Sequence, residues 1–307
     1  MNKTLATGLA ITMLFLVACF FGEYAAPYDL SENVPPHYVG EPGHRTLVAP
    51  PFPPSASHPF GTDKYGTDMA AKLLDGAKYT IIASLSVAFF RLFAGGALGL
   101  LLGYYGAGRI SRTGRTPIWT MLNGIPIFIV VWMIMTGISM DPSATPLEMT
   151  LILSAVLALV GIPAVASTVK AKTTVLREEP FILSARSVGA GRRRIIRTHL
   201  LPHLQESLLI LFVQEIVLIL GLFGQLAIFN LFVGGTLVYK DLLYPEYASR
   251  TNEWSGLIGQ SRGNLYIYRW VLFFPLLAYI AYILGLHMIA LGIEKRYARK
   301  VAKFSQL

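Results

Sequence analysis

Arg91 and Glu215 stand out because each lies inside a run of about twenty apolar residues. A charge surrounded by hydrocarbon is costly and is kept where it is paired or faces water. These two either form a buried pair or each face a water-filled path, and spacing alone leaves both arrangements open. Beside Glu215, the residues Gln214, Gly221 and Gln225 recur at i, i+7 and i+11, which is one helical face. Asn230 follows farther along, and Asn123 lies in an earlier apolar run. Such groups serve as interhelical hydrogen bonders or as lining of a pathway. Arg91, Asn123, Gln214, Glu215, Gln225 and Asn230 are the pathway candidates.

The second chemically distinctive stretch is EEPFILSARSVGAGRRRIIRTHLLPH, Glu178 to His203, which carries five arginines between two apolar runs. Pro180 suits the first turn of a helix, and Glu178 and Glu179 complement its positive end. Phe181, Ile182, Ala185 and Val188 form an apolar side, and Gly189 is placed to end the helix. After Gly189-Ala190-Gly191, a second helix over Arg192 to Leu201 is expected, stopped by Pro202. Arginines alone mark a loop on the inner side of a membrane. The caps, the glycine turn and the apolar side together describe a docking element for a cytoplasmic partner. His199 and His203 have metal-ligand spacing, but with Pro202 between them and no companion thiolate they read as structural histidines.

No nucleotide-binding motif is expected in the chain. The G-x-x-x-x-G-K-[ST] phosphate loop, H-E-x-x-H and a complete G-x-G-x-x-G are all missing, since VGAGRRR lacks the third glycine and follows no strand. The single cysteine, Cys19, excludes an internal disulfide and a cysteine-based zinc site. It ends LVAC, which resembles a lipoprotein processing site. Five further apolar runs follow, so it is read as part of an uncleaved first span.

The elements that carry these residues are membrane helices. Hydrophobic residues make up 54% of the 307 and charged residues only 14%, against about 25% charged in soluble domains. Spans are expected at Leu5–Gly22, Tyr79–Tyr105, Pro117–Ser139, Glu148–Val169, Ser207–Gly235 and Trp270–Ile293. With the N-terminus inside, the inner segments hold 17 of the 26 basic and four of the 17 acidic residues, as the positive-inside rule requires. The result is an all-α membrane protein of six transmembrane helices, N-in and C-in. The net charge of +9 follows from this topology, and no nucleic-acid-binding signature accompanies it. In the second span Gly95, Gly99 and Gly103 form overlapping G-x-x-x-G steps, where another helix packs closely, within this chain or from a partner.

Outside the membrane, Glu23 to Pro59 is proline-rich, and Thr67 or Asp68 caps a short amphipathic helix with Met69, Leu73 and Leu74 on one face and Gly76 near its end. The last outer loop carries Tyr239, Tyr244, Tyr247, Trp254, Tyr266 and Tyr268, as an interfacial belt or as a docking surface. Three segments result: 1–78 (first helix, proline-rich loop and short amphipathic helix), 79–293 (five-helix core with the inner loop 170–206) and 294–307 (a basic tail).

The segment SARSVGAGRRRIIRTHLLP resembles the E-A-A loop of ABC-importer permeases, with Ala185 at its second alanine, Gly189 at its glycine and Leu201-Pro202 at the expected spacing. HPFGTDKYGTDM (His58 to Met69), APYDL (Ala26 to Leu30) and EWSGLIGQSRGNL (Glu253 to Leu265) are similar to segments of the "C" permeases of the dipeptide, oligopeptide and nickel importers. The chain departs from that pattern at Leu183, where the family has glutamate, at Ser184 and Thr67, and in its basic ending LGIEKRYARK.

The resemblance implies a type I ABC importer permease fold in a bacterial cytoplasmic membrane. It implies a homologous second permease, two cytoplasmic ATPases that bind ATP and Mg, and an extracytoplasmic substrate-binding protein. Pro180, Leu183, Ser184, Ala185, Arg186, Ser187, Gly189, Leu201 and Pro202 would form the coupling element seated on an ATPase. Peptide is the implied cargo, with nickel or a metal chelate as the alternative. A secondary transporter would show inverted repeats, and a membrane enzyme a cluster of catalytic residues, neither of which the chain displays.

Overall fold

The computed structural model describes residues 2–41, 45–106, 126–240 and 244–304, with side chains as far as Ala298. Among them, five helices are long and apolar enough to cross a membrane. They are α1 (Lys3–Ala25), α2 (Met69–Tyr105), α4 (Pro146–Arg177), the continuous helix ending in α7 (Leu201–Ile228) and α9 (Arg269–Phe304). The third expected span is described as α3 (Ile127–Ser139). Its first part, with Asn123, lies outside the described residues. At the Tyr105 end of α2 stand α5 (Pro180–Ser187) and α6 (Arg192–Arg194), and at its Met69 end α8 (Trp254–Ser261). Two antiparallel hairpins pair β1 (His37–Val39) with β2 (Thr46–Val48) and β3 (Thr236–Tyr239) with β4 (Glu246–Ser249).

Several helices outrun the apolar runs that announce them, but α7 stops at Ile228, short of the expected Gly235, because Asn230, Gly234 and Gly235 take positive φ and turn the chain into β3. The amphipathic segment at Met69 is no separate helix: α2 is continuous for 37 residues, capped by Asp68, whose Oδ2 accepts from Ala71 N (2.9 Å). Gly76 does not end a helix but makes room, since a methyl group there would collide with the Asn252 carbonyl. Leu73 and Ala77 therefore stay buried, although they lie outside the apolar run. At the other end, α4 and α9 continue past their apolar runs into basic residues.

Pro202 does not stop its helix either. Residues Ile195–Leu200 form a π-helical stretch, where Leu201 N bonds to Ile196 O, and Pro202 falls in the first turn of α7. Widening the turn lets a residue without an N–H enter the helix, so Arg192 to Ile228 runs unbroken.

Helices α1 and α9 pack through small residues: a methyl group on Gly8 would lie 2.8 Å from the Gly285 carbonyl, and one on Gly292 would lie 2.6 Å from Leu5 Cβ. The main core joins α2, α3, α4, α7 and α9, with Trp254 of α8 inside it. Trp254 is thus a core residue, whereas Tyr239, Tyr244 and Tyr266 are exposed.

Candidate functional site

The α5 loop has a small core of its own. Ile182, Ile195 and Leu200 bury themselves with Tyr104, at the C-terminal end of α2. Arg177 Nη1 donates to the Tyr104 carbonyl (2.8 Å), and the Arg192 guanidinium lies 5.8 Å from the Tyr105 ring centre. The loop is therefore fastened to α2 as well as to the helices on either side of it.

Pro180 takes the first position of α5. At the other end Gly189 N bonds to Arg186 O (3.0 Å) and Ala190 N to Ala185 O (3.0 Å), with Gly189 at φ +85°. This is a Schellman closure, which satisfies the last carbonyls of the helix. Ser184 and Ser187 turn their hydroxyls to the carbonyls of Pro180 and Leu183.

What remains turned outward is apolar and basic. Leu183 is 48% exposed and Val188 88%, beside exposed Arg186. The expected apolar side is thus split. Ile182 faces the loop core and Ala185 is half-buried, while Val188, which caps the helix rather than belonging to it, points to solvent. Leu201 and Pro202 are also exposed. His203 donates from Nδ1 to the His199 carbonyl (2.6 Å) and stacks on Phe181 at 4.5 Å.

Within the bilayer region Arg91 and Glu215 meet. Arg91 Nη1 donates to Glu215 Oε2 (3.2 Å), and Nε and Nη2 donate to the Leu157 carbonyl of α4 (3.0 and 2.7 Å). The two residues are 1% and 7% exposed, so each is the other's counter-ion inside the bundle. Removing one partner of such a pair costs about 3–5 kcal/mol, because the other charge is left uncompensated. Gly161, which nothing in the sequence singles out, permits the contact: any side chain there would collide with Nε and Cζ of Arg91.

Below this pair, α2 and α4 lie against each other at every fourth residue. Gly95 faces Val165, Gly99 faces Ala166 and Val169, and Gly103 faces Thr173, where added methyl groups would lie 2.5–2.8 Å from the nearest atoms. The glycine stripe thus packs within the chain. Gln214, Gly221 and Gln225 share the exposed face of α7 with Leu218 and Ile228. A methyl group on Gly221 would meet nothing within 4 Å. Asn230, just past the end of α7 at φ +59°, accepts from Arg262 Nη2 (3.1 Å).

At the Met69 end of α2, the segments around the two motifs at 58–69 and 253–265 are tied to α9 and α2. Trp270 Nε1 donates to Thr62 O (3.2 Å), Trp254 Nε1 to Leu73 O (2.8 Å) and Asn252 Nδ2 to Asp75 Oδ2 (3.1 Å). Glu253 is fully buried and accepts from Ser255 N (2.8 Å), Ser255 Oγ and Val233 N. No cation is paired with it among the described residues, and burial pushes its carboxyl up to about 7.

Residues 95–303, more than half of the chain, match the family described as the binding-protein-dependent transport system inner membrane component. The chain is 29% identical over 297 residues to the dipeptide transport system permease protein DppC of Alkalihalophilus pseudofirmus, which covers 95% of this chain and 84% of that protein. It is 27% identical over 296 residues to the glutathione transport system permease protein GsiD of Pectobacterium atrosepticum, covering 95% and 85%. With DppC of Bacillus subtilis it shares 26% over 209 residues, 68% and 58% of the two chains. The chain therefore belongs to the binding-protein-dependent family of inner membrane transport components, and it is a multi-pass protein of the cell membrane.

Proposed function

We propose that this chain is one permease half of an ATP-driven peptide importer with six membrane helices, N-in and C-in. It pairs with a homologous second permease, two cytoplasmic ATPases that bind ATP and Mg, and an extracytoplasmic peptide-binding protein. The observation that carries the reading is α5. A closed, capped helix outside the apolar spans, rooted on α2, α4 and α7, presents Leu183 and Val188 with Arg186 beside them. Large apolar side chains exposed in a basic inner loop mark a protein contact. In that contact Pro180, Leu183, Ser184, Ala185, Arg186, Ser187, Gly189, Leu201 and Pro202 form or shape the surface that an ATPase moves. Relatives named for dipeptide and glutathione transport support peptide as the cargo. The open face of α7, with Gln214, Gly221 and Gln225, lines the pathway against the partner permease, with Asn230 at its outer end and Asn123 as a further candidate.

The test is uptake of a labelled dipeptide, dialanine, by cells that depend on this complex. Uptake stops when ATP is depleted and continues under a protonophore while ATP is maintained. Uptake that survives ATP depletion and collapses with the protonophore would sink the proposal.

A further inference from the structure

Three membrane helices meet at one guanidinium. Arg91 on α2 reaches the Leu157 carbonyl of α4 with two nitrogens and the Glu215 carboxylate of α7 with the third. The contact falls close to Pro163 of α4. Pro163 has no N–H, so the Leu159 carbonyl has lost its donor in the helix. Helices α4 and α7 are also the two that lead into and out of the α5 loop: α4 ends at Arg177, and the continuous helix containing α7 begins at Arg192.

A displacement of α5 therefore reaches both helices, and Arg91 ties them together near the middle of the bilayer. Burial of apolar surface does not drive membrane helices together, because lipid tails are as apolar as leucine. Three charge-assisted hydrogen bonds from one planar group admit a single arrangement. We propose that Arg91, Glu215 and Gly161 form an intramembrane brace that holds α7 to the α2–α4 pair, so that a push on the α5 loop moves all three helices as one body. Arg91 and Glu215 are positioning residues here, and Gly161 is the notch that lets the guanidinium in. The source of the push rests on the proposed function, whereas the fixed placement of α7 does not.

The test uses the whole complex, purified with its ATPases in nanodiscs, with Cys19→Ser and spin labels at Leu159 on α4 and Leu209 on α7, both exposed positions. Pulsed EPR reads the α4–α7 distance without nucleotide and with ATP plus vanadate. The parent gives one narrow distance, the same in both states. Arg91→Lys keeps the charge but has one nitrogen for two partners, and Gly161→Ala keeps both charges but displaces the guanidinium. In each variant the distance splits, or shifts between states by about 2 Å or more, the size of helix shifts at switching interfaces. A merely structural role would lower yield and leave surviving molecules at the parental distance.

The brace is overturned if both variants assemble and keep the parental distance in both states, or if the parent's own distance changes with nucleotide. Should Gly161→Ala fail to assemble, Arg91→Lys decides the matter. Failure of the transport reading looks different: no ATPase co-purifies, and the nucleotide-free comparison of parent with variants still reads the brace.

Discussion

Replacing Gly189 tests the shape of the α5 loop without altering its exposed side chains. At φ +85° a residue with a Cβ is strained by about 1–2 kcal/mol, and a β-branched one by more within a range of about 1–3 kcal/mol. A methyl group at this position meets nothing within 4 Å, so the cost is conformational and not steric. Gly189→Asn should cost a few tenths of a kcal/mol, because asparagine tolerates this backbone. Gly189→Ala should cost about 1 kcal/mol and Gly189→Val about 2 kcal/mol. At 1.4 kcal/mol per factor of ten, valine shifts the loop toward its open form roughly 30-fold. Hydrogen exchange on the intact complex reads this directly at residues 189 and 190, whose N–H groups close the helix. Protection should fall in the order Asn, Ala, Val, with ATP-driven dialanine uptake falling alongside and membrane insertion unchanged. If asparagine proves as damaging as valine, bulk rather than backbone conformation governs the site and the reasoning is refuted.

Other substitutions separate the remaining roles. Gly99→Val, whose Cβ would lie 2.5 Å from the Ala166 carbonyl, should cost about 3 kcal/mol by overpacking. Gly96→Val, where a methyl group meets nothing within 4 Å, should leave the thermal midpoint in detergent close to the parent's. Leu183→Glu should preserve that midpoint, because Leu183 is half exposed, while weakening co-purification of the ATPases; unchanged co-purification would remove Leu183 from the contact. The Glu253 carboxyl is raised by burial from 4.5 to about 7, so the folded state favours its protonated form. Its contribution is neutral below about pH 4 and becomes destabilising as pH rises through 4.5 toward 7, reaching about 3 kcal/mol above that. The groups facing it are the donors of Ser255 and Val233 and the Tyr279 ring. Glu253→Gln should therefore flatten the fall in thermal stability between pH 5 and 7.5; an undiminished fall would assign the effect elsewhere.

The membrane spans are legible in the sequence because about twenty apolar residues in a row have few other uses. Their ends are not. Helix α2 begins ten residues before Tyr79 because a segment distant in sequence covers Leu73 and Ala77 with Trp254. Pro202 reads as a stop, and only the widened turn before it lets the helix pass. The α5 caps are local in origin, and Pro180 and Gly189 can be read directly. Val188 cannot, because helical periodicity no longer governs a residue that already belongs to the turn. Arg91 and Glu215 each announce themselves as charges in an apolar run, but Gly161 gives no signal: an isolated glycine in a span looks the same whether or not a guanidinium rests on it.

The exchange of large and small residues along α2 and α4 has a consequence for movement. At Arg91 the large side chain is on α2 and the notch on α4, while at Gly95, Gly99 and Gly103 the notches are on α2. A one-turn ratchet, the discrete step open to many helix pairs, is therefore closed to this one. Sliding α2 one turn toward its Tyr105 end would drive Arg91 onto Val165, and sliding it one turn the other way would bring Gly95 to the place of the guanidinium and carry Arg91 away from both partners. The seam works as a key with a single register, so the shape changes of a transport cycle must occur on the other faces of these helices.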